Sequence, residues 1–192
     1  SMHANGYSVV KDDAFTMQDL YGVINDYDEN GSDDFHDGLD FNTIESAFDK
    51  FKPNAPVLAY DAENGYTMKI GEVTHNVIMT YGGSGLYKQR YIMKINTAEG
   101  ASAGHYVSPI QYNEKTREYV LYVANAWYDE NNLPIYTAAS TKADASGNSR
   151  NLVKQCSGCH SPLVEVGQDA KGEWIGSGAP VANEAAYAGM SN

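Results

Sequence analysis

Five consecutive residues near the C-terminal end, Cys156-Ser157-Gly158-Cys159-His160, hold both cysteines of the chain. The pattern C-x-x-C-H is the attachment signature of c-type haem. Residues three apart on a helical turn face the same way, so the two thiols reach the two vinyl groups of one porphyrin and close thioether bonds. His160, adjacent to the second thiol, then stands under the iron as proximal ligand. Two other chemistries use the same residues. A C-x-x-C pair also serves disulfide formation and thiol exchange, although that use needs no histidine and normally accompanies a βαβ pattern. A zinc site needs four ligands; the segment offers three, and the fourth would come from distant His3, His36, His75 or His105.

A second constellation is Asp26-Tyr27-Asp28-Glu29-Asn30-Gly31-Ser32-Asp33-Asp34-Phe35-His36-Asp37. It resembles the calcium loop of an EF-hand or dockerin-type repeat. Asp26, Asp28 and Asn30 fall at positions 1, 3 and 5, Gly31 closes the turn at 6, the Ser32 carbonyl serves at 7, and Asp34 acts at 9, often through water. Two departures stand out: Asp37 occupies position 12 in place of the bidentate glutamate, and Asp33 occupies position 8 in place of an apolar residue. The alternative is a solvated acidic turn held by side-chain to backbone hydrogen bonds.

The elements that must position these groups are read from periodicity. From Asp12 to about Phe51, Phe15, Leu20, Val23 and Ile24 recur at helical spacing, and Ile44, Ala47, Phe48 and Phe51 do so again, with Asn42 or Thr43 as N-cap and Pro53 as stop. From Pro56 to about Tyr136 the pattern is β: eleven of the 15 tyrosines lie there, among strand-like runs at 57–60, 66–70, 75–81, 87–95, 105–110 and 119–128. Asn64-Gly65 marks a hairpin, and further glycines at 82–85 and 100 mark turns. A short helix over Arg150–Gln155, capped by Asn148 or Ser149, is expected to present the pentad. The expected fold class is α+β: an N-terminal helix-loop-helix (1–52), an antiparallel β meander (53–140), and a C-terminal segment with a short helix carrying the haem motif (141–192), together one compact domain.

The β region and the pentad together resemble one module of periplasmic and cell-surface multihaem c-type cytochromes. The likeness rests on Tyr81-Gly82-Gly83, Gln89-Arg90-Tyr91, Pro109-Ile110-Gln111-Tyr112 and then Gln155 through His160, and covers about residues 56–165. It implies covalent haem c, electron transfer to other haem domains or redox proteins, and a periplasmic or extracellular, cell-surface location. Ser1-Met2 reads as the remnant of a cleaved tag, and with a single pentad the chain is expected to be an excised domain of a longer cytochrome. For the sixth iron position the first candidate is His75, alternating with Val73 and Val77, followed by His105, then Met79, Met93 and Met68. Rival readings are a haem enzyme with an open distal site that reduces peroxide or an oxyanion, and a calcium-stabilised binding or structural module whose pentad is empty or zinc-bound. The 25 acidic against 13 basic side chains, net charge −12, oppose binding to nucleic acid. No apolar run is long enough to span a bilayer.

Overall fold

The computed structural model describes residues 25–82, 88–157, 164–168, 170, 172 and 174–178. Alternating apolar and polar residues with a high content of Val, Ile, Thr and Tyr favour pleated strands, and the chain lays these down one after another. They are β1 (Leu39–Asp40), β2 (Val57–Asp61), β3 (Gly65–Ile70), β4 (Val73–Gly82), β5 (Lys88–Met93), a small ribbon of β6 (Asn96–Thr97) and β7 (Gly100–Ala101), β8 (Tyr106–Asn113) and β9 (Glu118–Leu121). Seven of these form one curled antiparallel sheet in the order β1-β2-β3-β4-β5-β8-β9, with the ribbon as an excursion between β5 and β8. The pairing slips between Val77 and Met79 and again between Arg90 and Ile92; such irregularities bend a sheet and increase its twist. After β9 come a 3-10 turn (Ala124–Ala126), one α-helix α1 (Lys142–Ser146), a π-helical turn (Val153–Ser157), and a hairpin of β10 (Val164–Gln168) and β11 (Trp174–Gly178).

One aromatic core lies against the sheet. Met68 and Ile70 of β3, Tyr91 and Met93 of β5, and Ile110 and Tyr112 of β8 recur at every second residue and so share the sheet face that lines this core, while Ile92 and Val107 are buried on the opposite face. The loop preceding β2 contributes Phe35, Phe41, Phe48 and Phe51, and the segment after β9 contributes Trp127, Tyr128 and Tyr136. Phe35 meets Tyr91 at 5.2 Å between ring centroids, Phe41 meets Tyr119 at 5.2 Å, and Phe51 stacks on Tyr128 at 4.0 Å. Trp127, fully buried, donates its indole N–H to the Val107 carbonyl at 2.8 Å, so its one polar atom is satisfied inside the core.

The α+β expectation is corrected to a mostly β fold. The half of the expected helix-loop-helix that precedes Asn25 lies outside the described residues. Its second half forms turns and a single 3-10 turn, Asp49–Phe51, rather than a helix. Side chains that would cap or line a helix instead bond the local backbone: Asp40 accepts from the Asn42 N–H, Ser46 from Phe48, and Asp49 from Ser46. These short-range bonds compete with the helical ladder. Asn42, expected as an N-cap, clamps across the loop, accepting from the Ala55 N–H at 3.0 Å and donating to the Ala55 carbonyl at 3.2 Å. The expected short haem helix is likewise replaced by the single π-helical turn Val153–Ser157, which starts three residues later than anticipated. Asn148 accepts from Arg150 N–H rather than capping that turn. Among the described residues no helix is long and apolar enough to cross a membrane.

Candidate metal and cofactor sites

The acidic loop is folded by its own carboxylates. Asp26 accepts from the backbone N–H groups of Asn30 and Gly31 at 3.0 and 3.1 Å, drawing the chain into a tight turn at Gly31. The turn is fastened to the sheet at several points. Tyr112 donates to the Asp26 carbonyl at 3.3 Å, Tyr91 to the Asn25 side chain at 2.8 Å, and Tyr119 to Asp34 Oδ2 at 2.8 Å. The Tyr27 N–H donates to both Asp34 oxygens, at 3.0 and 3.1 Å. As a result one carboxylate oxygen each from Asp26, Asp28 and Asp34 lies within 4.8 Å of the others.

Of the six oxygen donors expected from spacing, these three converge. Asn30 and Asp37 are tied to each other: the Asn30 amide donates to Asp37 at 2.6 Å and to Asp28 at 2.9 Å, while its oxygen accepts from the Ser32 N–H. Asp26 and Asp34 are buried and Asp28 is exposed, so the cluster opens to solvent on the Asp28 side. Among the described residues no lysine, arginine or histidine forms an ion pair with any of the three. Burial, with smaller contributions from Asp33 and Asp28, pushes the Asp34 carboxyl up to about 7 despite its bonds from Tyr27 and Tyr119. Buried negative charge of this kind is relieved by a hard divalent cation, which oxygen ligands of just this type bind.

Around the pentad, the described residues are those that lead into it. Asn151 pairs with Tyr106 in an antiparallel bridge, and its side-chain oxygen accepts from the N–H groups of Val153 and Lys154 at 3.0 and 3.2 Å. This cap starts the π-helical turn whose backbone includes Cys156. Lys154 lies over the Trp174 ring at 4.9 Å, connecting the turn to β11. Cys159 and His160 lie outside the described residues.

The axial candidates are scattered. His75 is fully buried, edge-on to Trp127 and Tyr136 at 5.3 and 6.3 Å, and burial pushes its imidazole down to about 4. Its Nδ1 accepts from the Asn96 N–H at 3.1 Å, which puts the ring proton on Nε2. In that tautomer neither nitrogen has a lone pair to offer iron. Met68 and Met93 are packed in the core, Met79 is half-buried, and His105 is half-buried beside the pentad's approach.

Periodicity and spacing pointed to the carboxylates but not to their supports. Tyr119, Tyr112 and Tyr91 read only as strand residues, and nothing local marks which of 15 tyrosines meets a carboxylate 85 positions away. Asn151 does carry a local signal, an asparagine two residues ahead of a helical turn. No known protein family, curated protein or solved structure matches this chain.

Proposed function

We propose that this chain is an electron-transfer domain of a c-type cytochrome, bearing one haem covalently bound through Cys156 and Cys159 with His160 as proximal ligand. The observation that carries the reading is the pentad, whose spacing matches two thioethers and one axial imidazole. In support, the chain enters the pentad from a turn anchored at Asn151 rather than from a free loop, which would hold the first thiol at a defined place. A haem held in this way supplies a one-electron ferrous and ferric couple. Cys156 and Cys159 would fix the macrocycle, His160 would set its axial bond, and the aromatic sheet beside the turn would keep water from one side. The natural partners are other haem domains or redox proteins, in the periplasm or at the cell surface where covalent haem is installed.

A second proposal concerns the acidic loop, because three carboxylates converge there with two of them buried. We assign it to calcium, with Asp26, Asp28 and Asp34 as the converging ligands. Asn30, the Ser32 carbonyl and Asp37 would join them once the Asn30 bonds to Asp28 and Asp37 yield. This loop would brace the sheet and take no part in electron transfer.

The test of the main reading is a redox titration of protein produced alongside a haem-attachment system. A single reversible one-electron transition supports a carrier. Haem that turns over peroxide or an oxyanion, with an open sixth position, would instead favour the enzyme reading.

A further inference from the structure

We propose that the loop 128–135 and the groove beside it form a docking surface for a protein partner, one that inserts an apolar side chain flanked by lysine or arginine. The surface is independent of the haem reading.

Among the described residues three large apolar side chains stand exposed, and two of them, Leu133 (52%) and Ile135 (42%), share this loop. Single apolar residues scattered on a surface need no explanation, but these two are held there by the backbone. The Asp129 N–H donates to the Leu133 carbonyl at 2.8 Å, the Ile135 N–H donates to the Trp127 carbonyl at 2.9 Å, and Tyr128 bridges Pro134. Asp129 Oδ1 also accepts from the Asn131 and Leu133 N–H groups at 2.8 and 2.9 Å, closing a tip at which Asn132 takes the left-handed conformation. Along an extended stretch alternate side chains face opposite ways. Pro134 faces the sheet, where a Cβ at Gly71 would come within 2.7 Å of its ring; Leu133 and Ile135 are thereby turned outward together.

Ile135 also lines a groove of about 360 Å³ between this loop and the 3-10 turn Asp49–Phe51. The stacked rings of Phe51 and Tyr128 line it from the core side, and Ala124 extends the apolar wall. Its volume is at the lower end for small-molecule sites, which enclose most of their ligand. Here Asn125, Asp129, Glu130 and Lys50 are all exposed around it, so the groove is open. A free small molecule would leave much of its surface in water, whereas a side chain projecting from a larger surface would be covered by its own chain.

Charge selects that chain. Asp129 and Glu130 stand exposed at the rim, and among the described residues neither forms an ion pair. The lining cation among the described residues, Lys50, lies over the Phe51 ring at 4.8 Å, and the whole chain carries a net charge of −12. A second copy would bring its own Asp129 and Glu130 to the same rim, and anionic lipid would be repelled likewise. Lysine or arginine beside the apolar anchor is drawn in instead.

The probe is a synthetic hexapeptide, a central leucine and isoleucine with two lysines on each side, titrated into isotopically labelled full chain and followed by amide chemical shifts. The amides of Asn132, Leu133 and Ile135, with those of Lys50 and Ala124 across the groove, should move together and saturate. Leu133→Ser with Ile135→Ser, both at exposed positions, should weaken binding about tenfold or more. Glu130→Lys should weaken it less and reduce its dependence on salt. Peptides with glutamates in place of the lysines, or serines in place of the apolar pair, should leave these amides unmoved. Should the double-serine variant not fold, the three peptides on wild type still decide. Equal binding of the glutamate peptide, no response to the lysine peptide at millimolar concentration, or shifts that persist in the double-serine variant would overturn the proposal. Self-association in sedimentation that the double-serine variant abolishes would make this face an interface between copies and overturn the basic partner.

Discussion

Asp34 is 1% exposed yet is met by one phenol, one backbone amide and no described cation. The Tyr119 hydroxyl is therefore a large part of what makes its burial tolerable. Replacing it, Tyr119→Phe, leaves Asp34 Oδ2 with only the Tyr27 N–H that it shares with Oδ1, and losing a hydrogen bond to a buried carboxyl costs about 1 to 3 kcal/mol. The midpoint of urea unfolding should fall with its slope unchanged; an unmoved midpoint would show that the bond contributes nothing. His75 makes the complementary case of a base buried neutral. Its folded-state value is near 4 against 6.5 when free, so the unfolded chain binds the extra proton first as pH falls. Stability from this group is complete above the unfolded value and is lost as pH drops from about 6.5 towards 4. At about 1.4 kcal/mol per unit, the loss approaches 3 kcal/mol. His75→Gln should flatten the dependence of unfolding free energy on pH across that window. An equally steep slope in the variant would assign the dependence to other groups.

At the scale of elements, the acidic loop and the sheet differ in how openly the sequence displays them. The strands were legible because Tyr66, Met68 and Ile70, or Ile110 and Tyr112, alternate as a pleated face must. The second expected helix was not, because Phe48 and Phe51 satisfy helical spacing while reaching the same core from a loop, and Ala47, on the supposed buried face, is exposed. What decided the outcome was tertiary: the stacking of Phe51 on Tyr128 and the Asn42 clamp on Ala55, neither visible in a local window. In the loop, Asp26, Asp28 and Asp34 were legible from their spacing alone, whereas the mutual bond of Asn30 and Asp37 depends on how the turn closes. If calcium occupies this loop only in the folded state, it stabilises by mass action, about 2.7 kcal/mol at one hundred times the dissociation constant. Millimolar calcium added to chelator-treated protein should raise the melting temperature, and Asp26→Ala with Asp28→Ala should remove the rise. A melting curve indifferent to calcium, with no heat of binding, would leave the loop as an acidic turn.

The whole molecule joins these parts through a single core that runs from Phe35 in the acidic loop, across the sheet, to Trp127 and Ala145 ahead of the pentad. Truncating that core at its largest member, Trp127→Ala, should cost about 3 to 5 kcal/mol. It should also lower the yield of matured protein, since the stretch 150–152, which leads into the turn that bears Cys156, pairs with the start of the same strand, β8, whose Val107 carbonyl receives the indole N–H. A Trp127→Ala protein that melts and matures like wild type would separate the pentad from the core. What Cys156, Cys159 and His160 hold decides whether this chain is a cytochrome domain. The most direct measurement is the intact mass of the fully denatured protein, produced with a haem-attachment system, beside a Cys156→Ala and Cys159→Ala double variant. One haem of added mass is expected in the first and none in the second. A wild-type chain of unmodified mass from cells that mature other c-type cytochromes would contradict the haem reading.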